Sequence, residues 1–281
     1  MRIDQLLVTR QLASTRSQAQ RLIAGGVEWR QGEQWRCVAK NGDDVPESAE
    51  IRLLDDAEAR YVSRGGLKLE AALRHIGLPV TGLACLDVGQ STGGFTDCLL
   101  QHGAKSVVGV DVGSAQLHPR LRADPRVLCV EGVNARALKA SDLMAAYQGS
   151  MEADGQFEAE ATDDSEEGVD ASVSEFSPEF DLLVADLSFI SQTLVLPAVV
   201  PFLKAGGTLL TLVKPQFELQ PGQVGKGGIV RDAAYYPQVE QRLRDACEAL
   251  DLTVTAWFDS PIEGGDGNRE FFISAIFAPT L

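Results

Sequence analysis

The chain has 281 residues, of which 44% are hydrophobic and 23% charged, a balance that excludes an intrinsically disordered chain or a small disulfide-stapled one. Its net charge of −15 comes mainly from one segment, since residues 152–181 hold 12 acids and no base. The remaining chain carries 28 acids against 25 bases. The overall acidity therefore does not exclude a polyanionic partner.

Cysteine usage and apolar stretches predict the compartment. The five cysteines are odd in number, show no C-x-x-C spacing and lie mostly inside apolar runs, which is typical of core residues in a reducing cytosol. The sequence opens without an apolar signal segment, and its best apolar stretch, near residues 193–203, is interrupted by Pro197 and Pro201. We therefore expect a cytoplasmic protein without a metal site or a membrane-spanning segment.

A small basic module is predicted at residues 1–58. Its first 40 residues hold seven bases against three acids. Apolar residues at helical spacing predict two short helices, the second capped by Ser14 or Thr15 and ended by Gly25-Gly26. Three short strands are predicted after them, over residues 27–29, 35–38 and 50–54, followed by an acidic linker at 55–58.

Seven apolar segments in the remaining chain predict a sheet. The first six are separated by segments long enough for helices, which is typical of parallel strands joined by right-handed crossovers. The last gap is short and rich in Gly and Pro, so the seventh strand should return antiparallel. The predicted strands cover residues 83–88, 106–110, 127–130, 180–186, 207–213, 252–258 and 271–277.

An acidic segment interrupts this second domain, which we place at residues 59–281. Residues 149–178 contain Ser, Gly, Asp and Glu with almost no aliphatic or aromatic clusters. Such a chain cannot bury enough surface to order itself, so a disordered insert is predicted. An acidic arm that contacts a partner is the alternative.

A glycine-rich turn follows the first strand of this sheet, where α/β proteins bind ligands. Its residues Gly89-Gln-Ser91-Thr-Gly93 match G-x-S-x-G, the turn that carries a nucleophilic serine in hydrolases. Such enzymes need a histidine after the serine and the acid, but His102 and His118, the only downstream histidines, precede the later strand ends. A dinucleotide is also disfavoured, because Ser91 would crowd a pyrophosphate at a position that needs glycine.

The same turn suits S-adenosylmethionine, an adenosyl ligand without phosphates. Its carboxylate can lie at the backbone N–H groups that open the next helix. The second strand ends at Asp111, where a carboxylate can accept hydrogen bonds from both ribose hydroxyls. A tight turn with an unrelated capping acid is the alternative. The predicted cofactor-binding residues are Asp87, Gly89, Ser91, Gly93, Gly94 and Asp111.

Charged residues mark the ends of later strands. Asp186 and Lys214 end the fourth and fifth strands, so both should face the crevice beside the glycine-rich turn. The pair is either a structural ion pair or acid–base machinery, and its placement at strand ends favours the second. Glu270 precedes the last strand, and Lys68 lies in a turn that opens a helix before the sheet. Spacing alone does not select Lys68.

A series of motifs runs in one order through almost the whole chain. They are Arg2-Ile-Asp4, Thr15-Arg16-x-x-Ala19, Arg64-Gly-Gly-Leu-Lys68-Leu, Asp87-Val-Gly-Gln-Ser-Thr-Gly-Gly-Phe-Thr-Asp97, Val184-Ala-Asp186-Leu-Ser-Phe-Ile190, Val213-Lys214-Pro-Gln-Phe217, Val224-Gly-Lys-Gly-Gly228, and Ser260-Pro261 with Gly267-Asn-Arg-Glu270-Phe. Together they resemble the TlyA group of FtsJ-like RNA 2′-O-methyltransferases. The first two resemble a small RNA-binding fold shared with a ribosomal small-subunit protein.

The resemblance implies a Rossmann-like class I methyltransferase sheet of six parallel strands and one antiparallel strand, with a small N-terminal α+β RNA-binding domain. It implies S-adenosylmethionine as cofactor and ribosomal RNA or a ribosomal subunit as partner, methylated on a cytidine ribose. It also implies a catalytic tetrad of Lys68, Asp186, Lys214 and Glu270. We assign Lys214 as base or proton carrier, Lys68 and Asp186 as orienting groups, and Glu270 as their support.

Three positions depart from the pattern of the group. Gln90 stands where a small residue is usual, Gly26 replaces a basic residue, and Gln31 replaces Asn. The last two departures weaken the case for RNA contacts by the N-terminal module.

Phosphate contacts along structured RNA are predicted for four arginines on or near the N-terminal helices, and solvated helix faces are the alternative. Two rival functions remain. A non-catalytic RNA-binding ribosome assembly factor predicts no methyl incorporation, and a membrane-lytic protein is suggested by the haemolysin label of some relatives but lacks an amphipathic or spanning segment. The four arginines are Arg2, Arg10, Arg16 and Arg21.

Overall fold

Two sheets with separate cores form the part of the chain that the computed structural model describes, which is residues 1–13, 15–54, 59–153, 176–262 and 267–279. The N-terminal module contains a three-stranded antiparallel sheet in the order β2-β1-β3. Apolar faces of both helices, including the fully buried Leu7 and Leu22, form its core. Its elements are α1 (Ile3–Thr9), α2 (Arg16–Gly26), β1 (Val27–Gln31), β2 (Gln34–Cys37) and β3 (Ile51–Leu53).

The ends of α2 follow from local chemistry. The Thr15 side chain accepts a hydrogen bond from the backbone N–H of Gln18, as an N-cap does. The helix ends at Gly26, which has a φ of 107°. The predicted cap is therefore confirmed at Thr15, while Ser14 and the predicted linker at 55–58 lie outside the described residues.

The second sheet has seven strands in the order β6-β5-β4-β7-β8-β10-β9. Strand β10 pairs antiparallel with both β8 and β9, and the other neighbours pair in parallel. The predicted six-plus-one sheet is confirmed. Its elements are α3 (Arg64–Ile76), β4 (Ala84–Val88), α4 (Gly94–Gln101), β5 (Ser106–Asp111), α5 (Pro119–Arg122), β6 (Val127–Glu131), α6 (Ala140–Ala153), β7 (Phe180–Asp186), α7 (Leu196–Val199), β8 (Leu203–Val213), α8 (Pro215–Glu218), α9 (Tyr236–Glu248), β9 (Leu252–Asp259) and β10 (Phe271–Phe277).

The central strands are apolar throughout because helices cover both of their faces. In β7, Leu183 and Ala185 pack with residues of α6, α7 and α9, whereas Leu182 and Val184 pack with residues of α3, α4 and α5. Successive strand residues point to opposite faces, so a sheet covered on both sides needs continuous rather than alternating hydrophobicity.

The structure narrows the predicted insert at 149–178. Helix α6 continues to Ala153, and the Phe176 ring stacks on Tyr147 with centroids 4.7 Å apart. Helical spacing continues past Gly149, and the Phe176 ring packs against the same helix. Both ends of the predicted insert are therefore ordered. The predicted disorder of the intervening residues 154–175 lies outside the described part of the chain.

Helices α3 and α4 approach closely because two glycines lie between them. A Cβ atom added at Gly94 would overlap the Ser63 Oγ atom and would lie 3.0 Å from the Gly66 backbone N. The close approach of the two helices at Gly94 sets the position of α3, and therefore of Lys68, against the glycine-rich turn.

We expect Gly94→Ala to lower the free energy of unfolding by about 1–3 kcal/mol, because the added methyl group must push α3 away from α4. The matched control is Gly149→Ala in α6, where the added methyl group meets open space and should raise stability by about 0.5–1 kcal/mol. Denaturant unfolding measures both. Equal stability of the two variants would contradict the close α3–α4 approach.

Candidate active site

The glycine-rich turn after β4 adopts a backbone that needs its glycines. Gly89 and Gly93 have φ values of 84° and 95°, and Ser91 also lies in the left-handed region at 49°. A Cβ atom at Gly89 would lie 2.7 Å from the backbone oxygen of Asp186. The turn therefore passes directly against the end of β7, where any larger residue would separate them.

Gln90 is accommodated by a glycine on the neighbouring strand. Its side chain lies over Gly109, where an added Cβ atom would overlap it. Gln90 Nε2 donates a hydrogen bond to Thr96 Oγ1 at 2.9 Å, and Thr96 Oγ1 donates to Asp87 Oδ2 at 2.7 Å. The larger residue at position 90 is thus part of a buried hydrogen-bonded chain that ties the turn to β4.

A cavity of about 490 Å³ opens beside the turn. Asp111 lies in its wall and accepts hydrogen bonds from the backbone N–H groups of Ser91 and Gly113, both at 2.7 Å. Each carboxylate oxygen keeps a second lone pair for another donor. Val112, with 72% of its surface exposed, supplies an apolar edge of the same cavity.

A smaller cavity of about 150 Å³ adjoins the first and shares Gly89, Ser91, Asp186 and Ser188 with it. Residues at the N-termini of α3 and α4 line it, among them Gly65 and Gly94. Backbone N–H groups at helix N-termini favour anions. The combined space is therefore apolar at one end and suited to a carboxylate at the other.

Asp87 lies behind the turn. Its side chain is fully buried, and its Oδ1 atom has no hydrogen-bond partner among the described residues. Burial raises the pKa of Asp87 to about 7, against the opposing effect of the Thr96 hydrogen bond. Within the described structure, the lining of the two cavities includes Gly89, Ser91 and Gly94 but neither Asp87 nor Gly93.

The four charged residues of the predicted tetrad form two ion pairs. Lys214 Nζ lies 2.5 Å from Asp186 Oδ1 and donates a hydrogen bond to Ser188 Oγ at 2.9 Å. Lys68 Nζ donates to Glu270 Oε2, and both of these side chains are at least nine-tenths buried. Lys214 and Asp186 line the smaller cavity.

Strand register explains why these pairs meet. Asp186 pairs with Leu212 across β7 and β8, and Phe271 pairs with Val213 across β8 and β10. Lys214 and Glu270 are the next residues beyond the last of these pairs, so they leave neighbouring strands at the same edge of the sheet. That edge is the carboxyl end of the parallel strands, where α/β folds bind ligands.

Phe189 is a feature of this edge that the sequence does not reveal. It is 90% exposed and has a φ of 65°, a conformation that is rare for a bulky residue. Its ring lies 5.2 Å from that of Phe217, and Phe189 borders the larger cavity. An apolar residue soon after a strand end was the available signal, but backbone strain cannot be read from residue types.

The four N-terminal arginines have intramolecular partners. Arg2 and Arg16 both bind the fully buried Asp4, with Arg2 Nε donating to Oδ1 at 3.1 Å and Arg16 Nε to Oδ2 at 2.8 Å. The hydrogen bond from Arg2 is the largest of the interactions that lower the pKa of Asp4 to about 2. Arg10 donates to the backbone oxygens of Ala49 and Glu47, and Arg21 is half-buried on α2. Their contacts with RNA remain a prediction.

Neither a metal cluster nor a membrane span is found in the described residues. No three His, Cys, Asp or Glu side chains there come together as metal ligands. Likewise, none of the helices in the described ranges is long and apolar enough to cross a bilayer.

These features together define a methyltransferase fold: a sheet with helices on both faces, the glycine-rich turn after β4 and the acid that ends β5. A family model described as FtsJ-like methyltransferase matches residues 61–277. The chain belongs to the FtsJ-like methyltransferase family, and it is a methyltransferase.

Several relatives resemble it over nearly the whole chain. The 16S/23S rRNA (cytidine-2′-O)-methyltransferase TlyA of Mycobacterium tuberculosis is 38% identical, covering 97% of this chain and 88% of the relative. Hemolysin A of Brachyspira hyodysenteriae is 35% identical over 96% of this chain and 98% of its own. A solved structure from Streptococcus thermophilus, provisionally designated a hemolysin, superposes with a TM-score of 0.68 at 34% identity, covering all of this chain and 89% of that one.

We expect Asp87→Asn to flatten the pH dependence of folding. Because burial raises the pKa of Asp87 from 3.8 to about 7, the native chain holds a proton that the unfolded chain releases between these values, and stability falls as pH rises through them. Unfolding of the wild type and Asp87→Asn at pH values from 4 to about 8 should show the variant gaining relative stability as pH rises. In Asp181→Asn, at the opposite edge of the sheet, this gain should be absent. A constant difference between wild type and Asp87→Asn would contradict the assignment.

Proposed function

We propose that this methyltransferase uses S-adenosylmethionine to methylate the 2′-oxygen of a cytidine ribose in ribosomal RNA. The observation that carries the proposal is that Lys214 and Asp186 line the cavity beside the glycine-rich turn. Lys68 and Glu270 form a second, buried pair at the same edge of the sheet and are not among the described residues that line either cavity. The printed activity of the Mycobacterium tuberculosis relative supports the substrate. The alternative, an RNA-binding assembly factor without catalysis, gives no reason to retain charged pairs whose burial is costly.

The cavity walls fit the proposed cofactor. Asp111 would accept hydrogen bonds from the ribose hydroxyls with the lone pairs that Ser91 N and Gly113 N leave free, and Val112 would pack on the adenine. The N-termini of α3 and α4 would hold the methionine carboxylate. Gly89, Ser91 and Gly94 would contact the cofactor, while Gly93 and Asp87 would support the turn from behind.

In the proposed mechanism, S-adenosylmethionine bound at this site would supply the methyl group from its positively charged sulfur, which would leave as a neutral thioether. Lys214 Nζ would take up the proton of the ribose 2′-hydroxyl as that oxygen is methylated. Asp186 and Ser188 hold Lys214 Nζ at the cavity wall. Lys68 orients the substrate from the adjacent pair, and Glu270 fixes Lys68.

Phe189 suits the base of the target nucleotide. An exposed aromatic ring at the rim of the cavity can stack on an unstacked base. RNA methylated within a folded particle must present its ribose to a recessed site, and stacking on a protein ring offsets part of the cost of unstacking.

We expect Lys214→Ala to lower kcat for methyl transfer by about 10²–10⁴-fold, because the proton acceptor is lost. Binding of S-adenosylmethionine, measured by calorimetry, should change little. The two readouts separate catalysis from cofactor binding.

A matched control lies on the same two strands. Lys204 and Asp181 form an ion pair at 2.7 Å at the opposite edge of β8 and β7, so Lys204→Ala removes an equivalent pair far from the cavities. This variant should keep wild-type activity. Near-normal methyl transfer by Lys214→Ala would remove Lys214 from the chemistry.

In this proposal the chain has two domains, an RNA-binding domain at residues 1–58 and a methyltransferase domain at residues 59–281. Arg2 and Arg16 are each held by Asp4 yet about half exposed, at 43% and 53% of the side chain. An arginine fixed in this way presents its remaining N–H donors in a set direction, which suits phosphate contacts. Arg10 and Arg21 extend the same proposed surface.

We expect Arg16→Ala to weaken binding to ribosomal RNA and to reduce the slope of log affinity against log salt by about one unit, as loss of one phosphate contact does. The control is Arg126→Ala. Arg126 pairs with Asp124 directly before β6, at the amino end of the parallel strands. Filter binding at several salt concentrations gives both slopes. Identical slopes for wild type and Arg16→Ala would exclude Arg16 from the interface.

A further inference from the structure

A buried carboxylate lies at the end of the short helix that follows Lys214. Glu218, at the end of α8, is 3% exposed. Its Oε2 atom accepts a hydrogen bond from Ser191 Oγ at 2.5 Å, and its Oε1 atom accepts one from the backbone N–H of Gln192 at 2.7 Å. Burial raises the pKa of Glu218. The carboxylate thus joins the segment that follows Lys214 to the loop that follows Asp186.

The same loop is fixed a second time by Gln192, which is also buried. Gln192 Nε2 donates to the backbone oxygen of Leu212 at 2.6 Å, and Thr211 Oγ1 donates to Gln192 Oε1 at 2.8 Å. Both partners lie at the end of β8, just before Lys214. Glu218 and Gln192 therefore bind the loop to β8 and α8, on either side of Lys214 in the chain.

The loop that they fix carries the other groups of the site. Residues 187–192 contain Ser188, which accepts the hydrogen bond from Lys214, and Phe189, which keeps a strained φ of 65°. A strained backbone persists only where its surroundings determine it. The two hydrogen bonds to Glu218 lie immediately after this strained residue and hold the loop in place.

A further hydrogen bond ties the Glu218 backbone to α9. Arg242 of α9 donates a hydrogen bond to the Glu218 backbone oxygen at 2.7 Å. Among the described residues that line the two cavities, Glu218 is absent. It would act on the reaction through Lys214, Ser188 and Asp186 rather than by touching substrate or cofactor.

We propose that Glu218 is a positioning residue that fixes the distance between Lys214 and its partners Asp186 and Ser188. This inference rests on the proposed function, in which Lys214 accepts the 2′-hydroxyl proton. Without the two hydrogen bonds to Glu218, the 187–192 loop can move relative to the N-terminus of α8. Lys214 Nζ then leaves the position from which it reaches the ribose.

The test compares Glu218→Ala, Glu218→Gln and Ser191→Ala with wild type. Glu218→Ala should lower kcat by about 10–100-fold, since small displacements of a catalytic group have effects of this size. The KM for RNA and the affinity for S-adenosylmethionine should stay within about threefold, because Glu218 touches neither. Ser191→Ala, which removes one of the two hydrogen bonds, should lower kcat less.

Glu218→Gln should restore most of the activity. Its Oε1 atom can still accept from the Gln192 N–H, and its Nε2 group can donate to the Ser191 hydroxyl, which both donates and accepts. If Glu218→Gln keeps activity and Glu218→Ala loses it, the loss is due to the missing hydrogen bonds.

The matched control for general destabilisation is Asp181→Ala. Asp181 also accepts a backbone N–H, that of Ala84 at 2.9 Å, and a side-chain donor, Lys204, at the far edge of the same strands. Assayed below its melting temperature, Asp181→Ala should keep a wild-type kcat and pH–kcat profile, whereas Glu218→Ala should shift the midpoint of that profile.

The outcomes separate the two proposals. Loss of activity in Lys214→Ala with a wild-type kcat in Glu218→Ala would overturn the positioning role alone. Near-normal activity in Lys214→Ala would overturn the proposed mechanism first. If Glu218→Ala does not fold, Ser191→Ala decides, and an unchanged kcat in that variant overturns the positioning role of Glu218.

Discussion

Buried charge must be paired, and this requirement organises the carboxyl edge of the large sheet. Removing one partner of a buried ion pair costs about 3–5 kcal/mol, so neither Lys68 nor Glu270 can occupy its position alone. Their contact joins α3, which precedes the sheet, to the start of its last strand, β10. Lys214 and Asp186 join β8 to β7 in the same way. Both pairs therefore lie where the carboxyl ends of β7 and β8 meet the start of β10.

The glycine turn depends on the same edge. Gly89 passes against the backbone of Asp186, and Gly94 allows α3 to approach α4. A larger residue at Gly89 would push the turn away from Asp186, and a larger residue at Gly94 would push α3, which carries Lys68, away from α4. Several of the positions that we propose for ligand binding are therefore also positions that the packing of the fold requires.

The number of strands and their directions were predictable because local sequence patterns indicate them. Apolar runs between helical segments predicted the parallel strands, and the Gly- and Pro-rich gap before Phe271 predicted the antiparallel return, which the pairing of β10 with β8 confirms. Asp111, Asp186 and Lys214 could be selected since each ends a predicted strand. Gln90 departed from the family pattern, and only the structure shows that Gly109 makes room for it.

The remaining parts of the site depend on long-range packing. Lys68 and Glu270 are 202 positions apart in sequence, and no periodicity connects them, so only the family resemblance selected Lys68. The strained φ of Phe189 and the burial of Glu218 are products of tertiary structure. For the N-terminal arginines, the sequence shows the charge. Only the structure shows that the buried Asp4 binds two of them.

The most direct test of the central claim is to incubate the purified protein with ribosomal subunits and S-adenosylmethionine labelled in its methyl group, and then to analyse the RNA nucleosides. Methyl transfer to a ribose makes the adjacent phosphodiester resistant to alkali. We expect label in an alkali-resistant dinucleotide that contains a 2′-O-methylated cytidine. Label on a base, or RNA binding without any incorporation of label, would contradict it.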